Sequence, residues 1–162
     1  MVSLLVVAIL LVAGIPAFDW LVLDTRRTAD INAFVTSVQL ARSEAAKRGL
    51  PVVVCVSVDR RSCAASGDGF DQGWLVVAAN IDGDPLPDST PIHTHAPAMS
   101  GSIRANRSRF VFRPYYRRSS NGTVTFCDRR GARAARAVIV SYTGRPRVAS
   151  EGPGGRELVC RV

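Results

Sequence analysis

The first 18 residues of the chain are MVSLLVVAILLVAGIPAF, and none of them carries a charge. As a helix rising about 1.5 Å per residue, this run would be about 27 Å long, close to the thickness of a membrane hydrocarbon core. A cleavable signal peptide would show basic residues before the apolar run and a small-residue cleavage site after it, and neither is found here. We therefore predict that residues 1–23 form a retained hydrophobic helix, which lies in a membrane or among similar helices in a filament.

The helical pattern continues without a linker through residues 19–48. Five apolar side chains in this part are spaced by three and four residues, which places them on one face of a helix. They are Ile31, Phe34, Val38, Ala41 and Ala45. Gly49 suits the position just after a helix and Pro51 cannot continue one, so the helix is predicted to end near residue 48. The pattern describes one long helix whose second half covers a globular domain.

Short β-branched and aromatic runs replace the helical pattern from residue 51 onward. Strands are predicted at residues 52–58, 74–79, 109–114, 123–127 and 136–142. Residues 92–107 are too polar to assign, residues 143–147 are predicted as a turn, and the tail 156–162 could close the sheet. No second helix of useful length is predicted after Gly49.

The predicted fold class is therefore α+β, with an N-terminal helix packed on an antiparallel sheet. The chain has 162 residues, so the part beyond the apolar run is long enough for one domain with its own core. That domain is predicted to span residues 24–162, with an amphipathic helix at 24–49 and a sheet at 51–162.

The charge of the chain is strongly basic, with a formal net charge of +8. Lys47 is the only lysine among 21 basic residues, so the excess is carried by arginine. Such an excess is typical of a surface for an anionic partner, such as nucleic acid or lipid headgroups. A GC-rich genome would also favour arginine over lysine, but it would not explain the net excess of basic over acidic residues.

Four cysteines occur, and their spacing does not match a zinc site. An even number of cysteines behind a membrane-targeting segment indicates disulfides in an oxidising compartment, whereas four reduced core cysteines are the alternative. Three pairings are possible, and we favour Cys55 with Cys63 and Cys127 with Cys160. The first pair would close a short loop after a strand, and the second would attach the C-terminal tail to the sheet.

Four motifs occur in one order along the chain. They are LARSEAAKRGLPVVVCVS at residues 40–57, GW at 73–74, NIDG at 80–83 and VIVSYTGRPRV at 138–148. Together with the apolar helix, they resemble the GspH/FimT group of minor pilins and pseudopilins. The resemblance implies a type IV pilin-like fold and a single-pass protein of the inner membrane with its C-terminal domain in the periplasm. It also implies incorporation in a pilus or at its tip, with other major and minor pilins as partners.

The N-terminus departs from the pattern of that family in two ways. Family members carry a basic leader followed by G-F-T-L-x-E, and this chain begins inside that motif. We interpret this as a start codon assigned too far downstream, and an absent leader is the alternative. Ser3 also stands where the family usually has a glutamate that helps subunits dock into the filament. A serine cannot form the same charge pair, which would suit a subunit that docks differently, such as one at a filament tip.

The strongest site candidate is Gly144-Arg145-Pro146-Arg147. In FimT-like proteins a matching G-R-x-R is associated with DNA binding during natural transformation, so the resemblance implies that role here. Guanidinium groups can bind phosphate oxygens bidentately and always keep their charge. Other arginines in predicted loops would extend a basic patch if these loops meet at one end of the sheet. They are Arg113, Arg117, Arg118, Arg129, Arg130 and Arg133.

Two functions remain open from the sequence. The first is a minor type IV pilin that binds DNA nonspecifically through arginine-rich loops for uptake in natural transformation. The second is a structural pseudopilin that primes or caps a type II secretion pseudopilus or a pilus, in which case G-R-x-R is only a hairpin turn with solvated arginines. Clustering of the arginines at one end favours the first, and scatter favours the second.

Other candidate sites are weaker. Tyr115 and Tyr116 lie beside arginines and could stack on single-stranded bases, although such tyrosines more often cover a sheet core. Residues 80–84 resemble part of a calcium loop but lack its downstream glutamate, so a turn is the simpler interpretation. His93 and His95 lie in a Pro-flanked loop with no nucleophile pattern nearby. No catalytic motif is found, and neither an enzymatic activity nor a cofactor is expected.

Overall fold

The structure, a computed structural model, describes residues 2–64, 69–87, 89–115 and 118–160, with side chains from residue 18 onward. Most side chains of the predicted hydrophobic segment 1–23 therefore lie outside the described residues, as do the site candidates Tyr116 and Arg117. Among the described residues, no helix combines the length and the apolar character needed to cross a membrane.

The first element is the helix α1, Val2–Arg48. Its end matches the prediction, because Gly49 adopts a positive φ of 70° and its N–H donates to the carbonyl of Ala45 at 3.0 Å. All five residues of the predicted apolar stripe are buried. The second half of α1 therefore packs against the globular domain along the predicted face.

In the described part of the chain, eight strands form two antiparallel four-stranded sheets. The first sheet has the order β3-β2-β1-β5 and is built from β1 (Val52–Val56), β2 (Trp74–Ala78), β3 (His93–His95) and β5 (Arg109–Phe112). The second has the order β4-β6-β7-β8 and is built from β4 (Gly101–Ala105), β6 (Gly122–Asp128), β7 (Arg136–Val140) and β8 (Pro146–Ala149). Two short 3-10 helices lie at Phe70–Gln72 and Ala132–Ala134.

The strands that the sequence did not predict lie at sheet edges. Residues 92–107 supply β3 and β4, and β8 occupies residues that were predicted as a turn. Edge strands are partly exposed, so they lack the apolar pattern that identifies a strand, and Pro146 is tolerated because it is the first residue of β8. The described part of the tail, through residue 160, forms no strand.

The core lies between α1 and the inner faces of both sheets, and Phe34 is at its centre. The rings of Phe70, Trp74, Phe110 and Phe126 surround Phe34 with centroid distances of 5.5 to 6.2 Å, each in an edge-to-face arrangement. The indole Nε1–H of Trp74 donates to the hydroxyl of Ser37 on α1 at 2.9 Å. This hydrogen bond satisfies the polar atom of the largest buried side chain.

Each outer sheet face carries a smaller apolar cluster and a disulfide. The bond Cys55–Cys63 joins β1 to the loop that follows it, and Cys127–Cys160 joins β6 to the tail. Both pairings that the sequence favoured are therefore present. The second one holds the buried Leu158 of the tail over the outer face of the second sheet.

Candidate functional site

A cleft of about 610 Å³ lies beside the C-terminal end of α1. Four arginines and two tyrosines from three parts of the chain line it: Arg42, Arg113, Arg118, Arg145, Tyr115 and Tyr142. We refer to this feature as the arginine cleft and to its four arginines as the cleft arginines. It contains one arginine of the G-R-x-R motif, one from α1 and two from the segment between β5 and β6.

The turn between β7 and β8 places Arg145 in this cleft. The N–H of Gly144 donates to the carbonyl of Ser141 at 2.8 Å, and the N–H of Ser141 donates to the carbonyl of Arg145 at 3.1 Å. Gly144 has a φ of 71°, which glycine adopts without steric cost. A Cβ at this position would lie only 3.1 Å from Cδ of Arg42 and 3.0 Å from the ring of Phe112. The glycine of the motif therefore allows the turn to approach α1 closely.

We expect Gly144→Ala to lower the free energy of unfolding by about 2 to 3 kcal/mol, because it combines a left-handed conformation with steric overlap. Gly131→Ala is the matched control, since Gly131 has a similar φ of 77° but no atom lies within 4 Å of the place that a Cβ would occupy. The control should lose only the conformational part, about 1 to 2 kcal/mol. Urea unfolding of both variants checks this, and equal losses would contradict the close approach.

The cleft arginines are not neutralised by carboxylates in the described part of the chain. In contrast, six arginines outside the cleft form ion pairs with carboxylates: Arg27, Arg48, Arg104, Arg109, Arg129 and Arg130. Within the cleft, the guanidinium of Arg113 donates to the carbonyls of Arg118 and Ile81 at 3.4 and 3.3 Å. The guanidinium carbon of Arg118 lies 5.8 Å from the ring centroid of Tyr142. These contacts orient the side chains without cancelling their charge, so the cleft can attract an anion.

Two of the predicted site residues lie elsewhere and are paired. Arg129 forms an ion pair with Asp19 at 3.1 Å. Arg130 binds Asp128 at 2.6 Å, and its guanidinium carbon lies 5.1 Å from the ring centroid of Trp20. The hydrogen bond with Asp128 raises the pKa of Arg130 above its ordinary value. The contacts of Arg129 with Asp19 and of Arg130 with Trp20 attach the β6–β7 loop to α1, far from the cleft along the helix.

Two further predicted arginines, Arg147 and Arg133, do not line the cleft. Arg147 is exposed on β8 opposite Ile139, and Arg133 is exposed in a 3-10 helix. Arg117 lies outside the described residues. The structure thus brings Gly144, Arg145, Arg113 and Arg118 of the predicted set together, and it adds Arg42.

Arg42 was not predicted as a site residue, although its position in the sequence carried a signal. It lies four residues after Val38 and next to Ala41, both members of the buried stripe. A long side chain at the border of an apolar stripe extends along the packed face and keeps its charged end in water. A charge at such a border, near the end of the helix, is expected to reach the rim of the adjoining sheet.

The weaker candidates take part in local structure. The side-chain oxygen of Asn80 accepts the N–H groups of the next residues, from Asp82 to Asp84, at 2.9 to 3.0 Å, which is the geometry of a turn. His95 Nε2 lies 3.0 Å from the buried carboxylate of Asp30, and its ring packs on Trp74. In the described residues, no group of three or more His, Cys, Asp or Glu side chains could hold a metal ion.

The architecture of a long N-terminal helix packed on antiparallel sheets is that of a type IV pilin. A model of the family described as type II transport protein GspH matches residues 30–144. The match covers more than half of the chain, which therefore belongs to the GspH family and is a GspH/FimT-like type IV minor pilin or pseudopilin.

Two crystal structures of the type IV minor pilin FimU from Pseudomonas aeruginosa share this fold. Their TM-scores are 0.56 and 0.57, with 16% sequence identity. The alignments cover 80% and 85% of this chain and 96% of the FimU chains. At this identity the similarity shows the fold alone. No curated protein sequence matches the chain.

Proposed function

We propose that this minor pilin binds DNA nonspecifically through the arginine cleft and promotes DNA uptake in natural transformation. The observation that carries the proposal is the cleft itself, where four arginines without ion-pair partners among the described residues line one concave surface. Six arginines elsewhere in the described chain are paired with carboxylates and eight are not, but the unpaired ones outside the cleft are spread over α1, several loops, two strands and the tail, whereas the cleft brings four onto one surface.

Phosphate binding accounts for the choice of side chain. A guanidinium group offers a planar set of donors that fits two phosphate oxygens, and its charge does not depend on pH in the physiological range. In the described residues, the helix that borders the cleft is α1, which is packed on both sheets and cannot enter a major groove, so the binding is expected to be independent of sequence. Four phosphate contacts would give a log–log salt slope of about −3.6, or a loss of roughly 150-fold in affinity between 50 and 200 mM salt.

The position of the cleft along α1 suits this role. In the proposed arrangement, residues 1–23 lie in the inner membrane before assembly and in the filament core afterwards. Arg42 is 19 residues further along the helix, or about 28 Å at 1.5 Å per residue. The cleft would then face the periplasm or the outer end of a pilus, where incoming DNA is accessible.

The test is fluorescence anisotropy with a labelled DNA duplex, using the full chain in a neutral detergent at two salt concentrations. We expect Arg118→Gln/Arg145→Gln to lose about tenfold in affinity at low salt and to show a slope shallower by about 1.8. Arg129→Gln/Arg133→Gln is the matched control, because it removes the same charge outside the cleft, and it should bind almost as the wild type does.

Other outcomes separate the alternatives. Equal losses in both double variants would show that total charge, not the cleft, determines the affinity. If the wild type does not bind at low salt, DNA binding is wrong and the structural function remains, in which the subunit primes or caps a type II secretion pseudopilus or a pilus.

A further inference from the structure

We infer that the arginine cleft takes single-stranded nucleic acid in preference to a duplex, with bases stacked on Tyr115 and Tyr142. This inference rests on the proposed DNA binding at the same cleft and names the form of the ligand. It is carried by two aromatic side chains that line the cleft together with the cleft arginines and yet remain largely exposed.

Tyr142 is held in place at the cleft but is not packed into the core. Its side chain is 58% exposed, while its carbonyl accepts the N–H of Ser119 at 3.0 Å. That hydrogen bond ties the β7–β8 turn to the segment that carries Arg118. The guanidinium carbon of Arg118 lies 5.8 Å from the ring centroid of Tyr142, so a positive charge and an aromatic ring are adjacent at the cleft surface. A base that stacks on this ring would have its phosphate within reach of a positive charge.

Tyr115 shows a second, independent sign of a role at the surface. It is 71% exposed and has a φ of 48°, a left-handed conformation that is unfavourable for a bulky residue. Only one other non-glycine residue among those described, Arg60, has a positive φ. Strain of this kind is more frequent at binding sites than elsewhere. A tyrosine that covers the sheet core would be buried, so that alternative does not describe Tyr115.

The combination selects a single strand on chemical grounds. Aromatic side chains bind bases of any sequence by stacking, but only where the base faces are free. In a duplex these faces are covered by neighbouring base pairs, so the tyrosines could add nothing to the phosphate contacts. A single strand can satisfy the arginines with its backbone and the tyrosines with its bases at the same time.

The test compares three ligands of equal length: a thymidine oligonucleotide, the same sugar-phosphate backbone without bases, and a duplex. With the full chain in neutral detergent, we expect the thymidine strand to bind about 25-fold more tightly than the abasic strand, which corresponds to about fivefold for each of two stacked bases. The abasic strand reports the phosphate contacts alone, so the difference measures the bases.

Tyrosine variants locate the stacking. Tyr115→Leu and Tyr142→Leu should each reduce binding of the thymidine strand by about fivefold and reduce binding of the abasic strand by much less. Tyr115→Phe and Tyr142→Phe keep the ring and should bind as the wild type does, which controls for the backbone conformation and for the position of Arg118.

The inference can fail in two distinguishable ways. Equal binding of the thymidine and abasic strands by the wild type, or equal effects of the leucine and phenylalanine variants, would exclude stacking and leave the proposed phosphate binding intact. The absence of binding to all three ligands at low salt would reject the proposed function, and this inference with it.

Discussion

We expect Phe34→Ala to lower the free energy of unfolding by about 4 kcal/mol, because truncation of a fully buried phenylalanine typically costs 3 to 5 kcal/mol. Phe34 is inaccessible to solvent and lies on the face of α1 that packs against both sheets. Four aromatic rings surround it edge to face, so the alanine would leave a cavity that no single neighbour can fill. Three of the rings are fixed by strands and Phe70 by a 3-10 helix, which limits relaxation.

Urea unfolding followed by tryptophan fluorescence measures this effect, since the ring of Trp74 lies 5.6 Å from that of Phe34. Phe34→Leu is the control: it keeps most of the volume and should lose less than half as much stability. A loss below about 1.5 kcal/mol for the alanine variant would contradict the central position of Phe34, because only well-tolerated core exchanges have so small an effect.

Phe34 also illustrates why the helix was predictable. The stripe from Ile31 to Ala45 has the helical period, and the structure buries all of its members. Strands with apolar, β-branched sequences, such as β1 and β2, were found for the same reason. A periodic pattern of this kind is local, so it can be recognised without knowledge of the partner that covers it.

The division into two sheets could not be predicted in the same way. It depends on β3, β4 and β8, which lie at sheet edges and contain polar or exposed residues. An edge strand is held mainly by backbone hydrogen bonds to one neighbour, and these leave little trace in the sequence. Residues 143–147 also have strong turn chemistry, and the strand β8 begins within that motif at Pro146.

The candidate site was predictable only as far as local motifs reach. The G-R-x-R motif indicated Gly144 and Arg145, but it did not show that Arg147 would be exposed on β8 outside the cleft. Whether an arginine is free or neutralised depends on distant partners. Arg129, for example, pairs with Asp19, which is 110 positions away in the chain. A count of basic residues therefore could not distinguish the arginines that are paired with carboxylates from those that are not.

The second large loss of stability is expected when the ion pairs that Asp128 forms with Arg130 and Arg27 are broken. We expect Asp128→Asn to lower the free energy of unfolding by about 3 kcal/mol, because removing the buried carboxylate leaves Arg27 and Arg130 with only the exposed Asp24 as a counter-ion. The carboxylate of Asp128 is almost fully buried; it binds Arg130 at 2.6 Å and lies 3.5 Å from the buried guanidinium of Arg27. Arg27 also donates to Asp24 and to the carbonyl of Ala134.

Asp84→Asn is the control for this prediction, because Asp84 pairs with Arg109 at 2.5 Å but both side chains are largely exposed. Exposed ion pairs contribute less than about 1 kcal/mol, so the control should unfold almost as the wild type does. If the two aspartate variants lose the same stability, the group around Asp128 is no stronger than a surface pair, and the attachment of the β6–β7 loop to α1 must depend on other contacts.

The pH dependence gives a further check on the same variant. Hydrogen bonding to Arg130 holds the pKa of Asp128 below its ordinary value of 3.8. The stabilisation is therefore complete above about pH 5, where an aspartate is ionised even in the unfolded chain, and it is lost progressively as the pH falls through the unfolded value and then the lower, folded value. The difference in stability between the wild type and Asp128→Asn should be largest near neutral pH and should shrink on acidification below about pH 5. A difference that stays constant down to the acid-unfolding region would show that the variant acts through packing and not through the charge of Asp128.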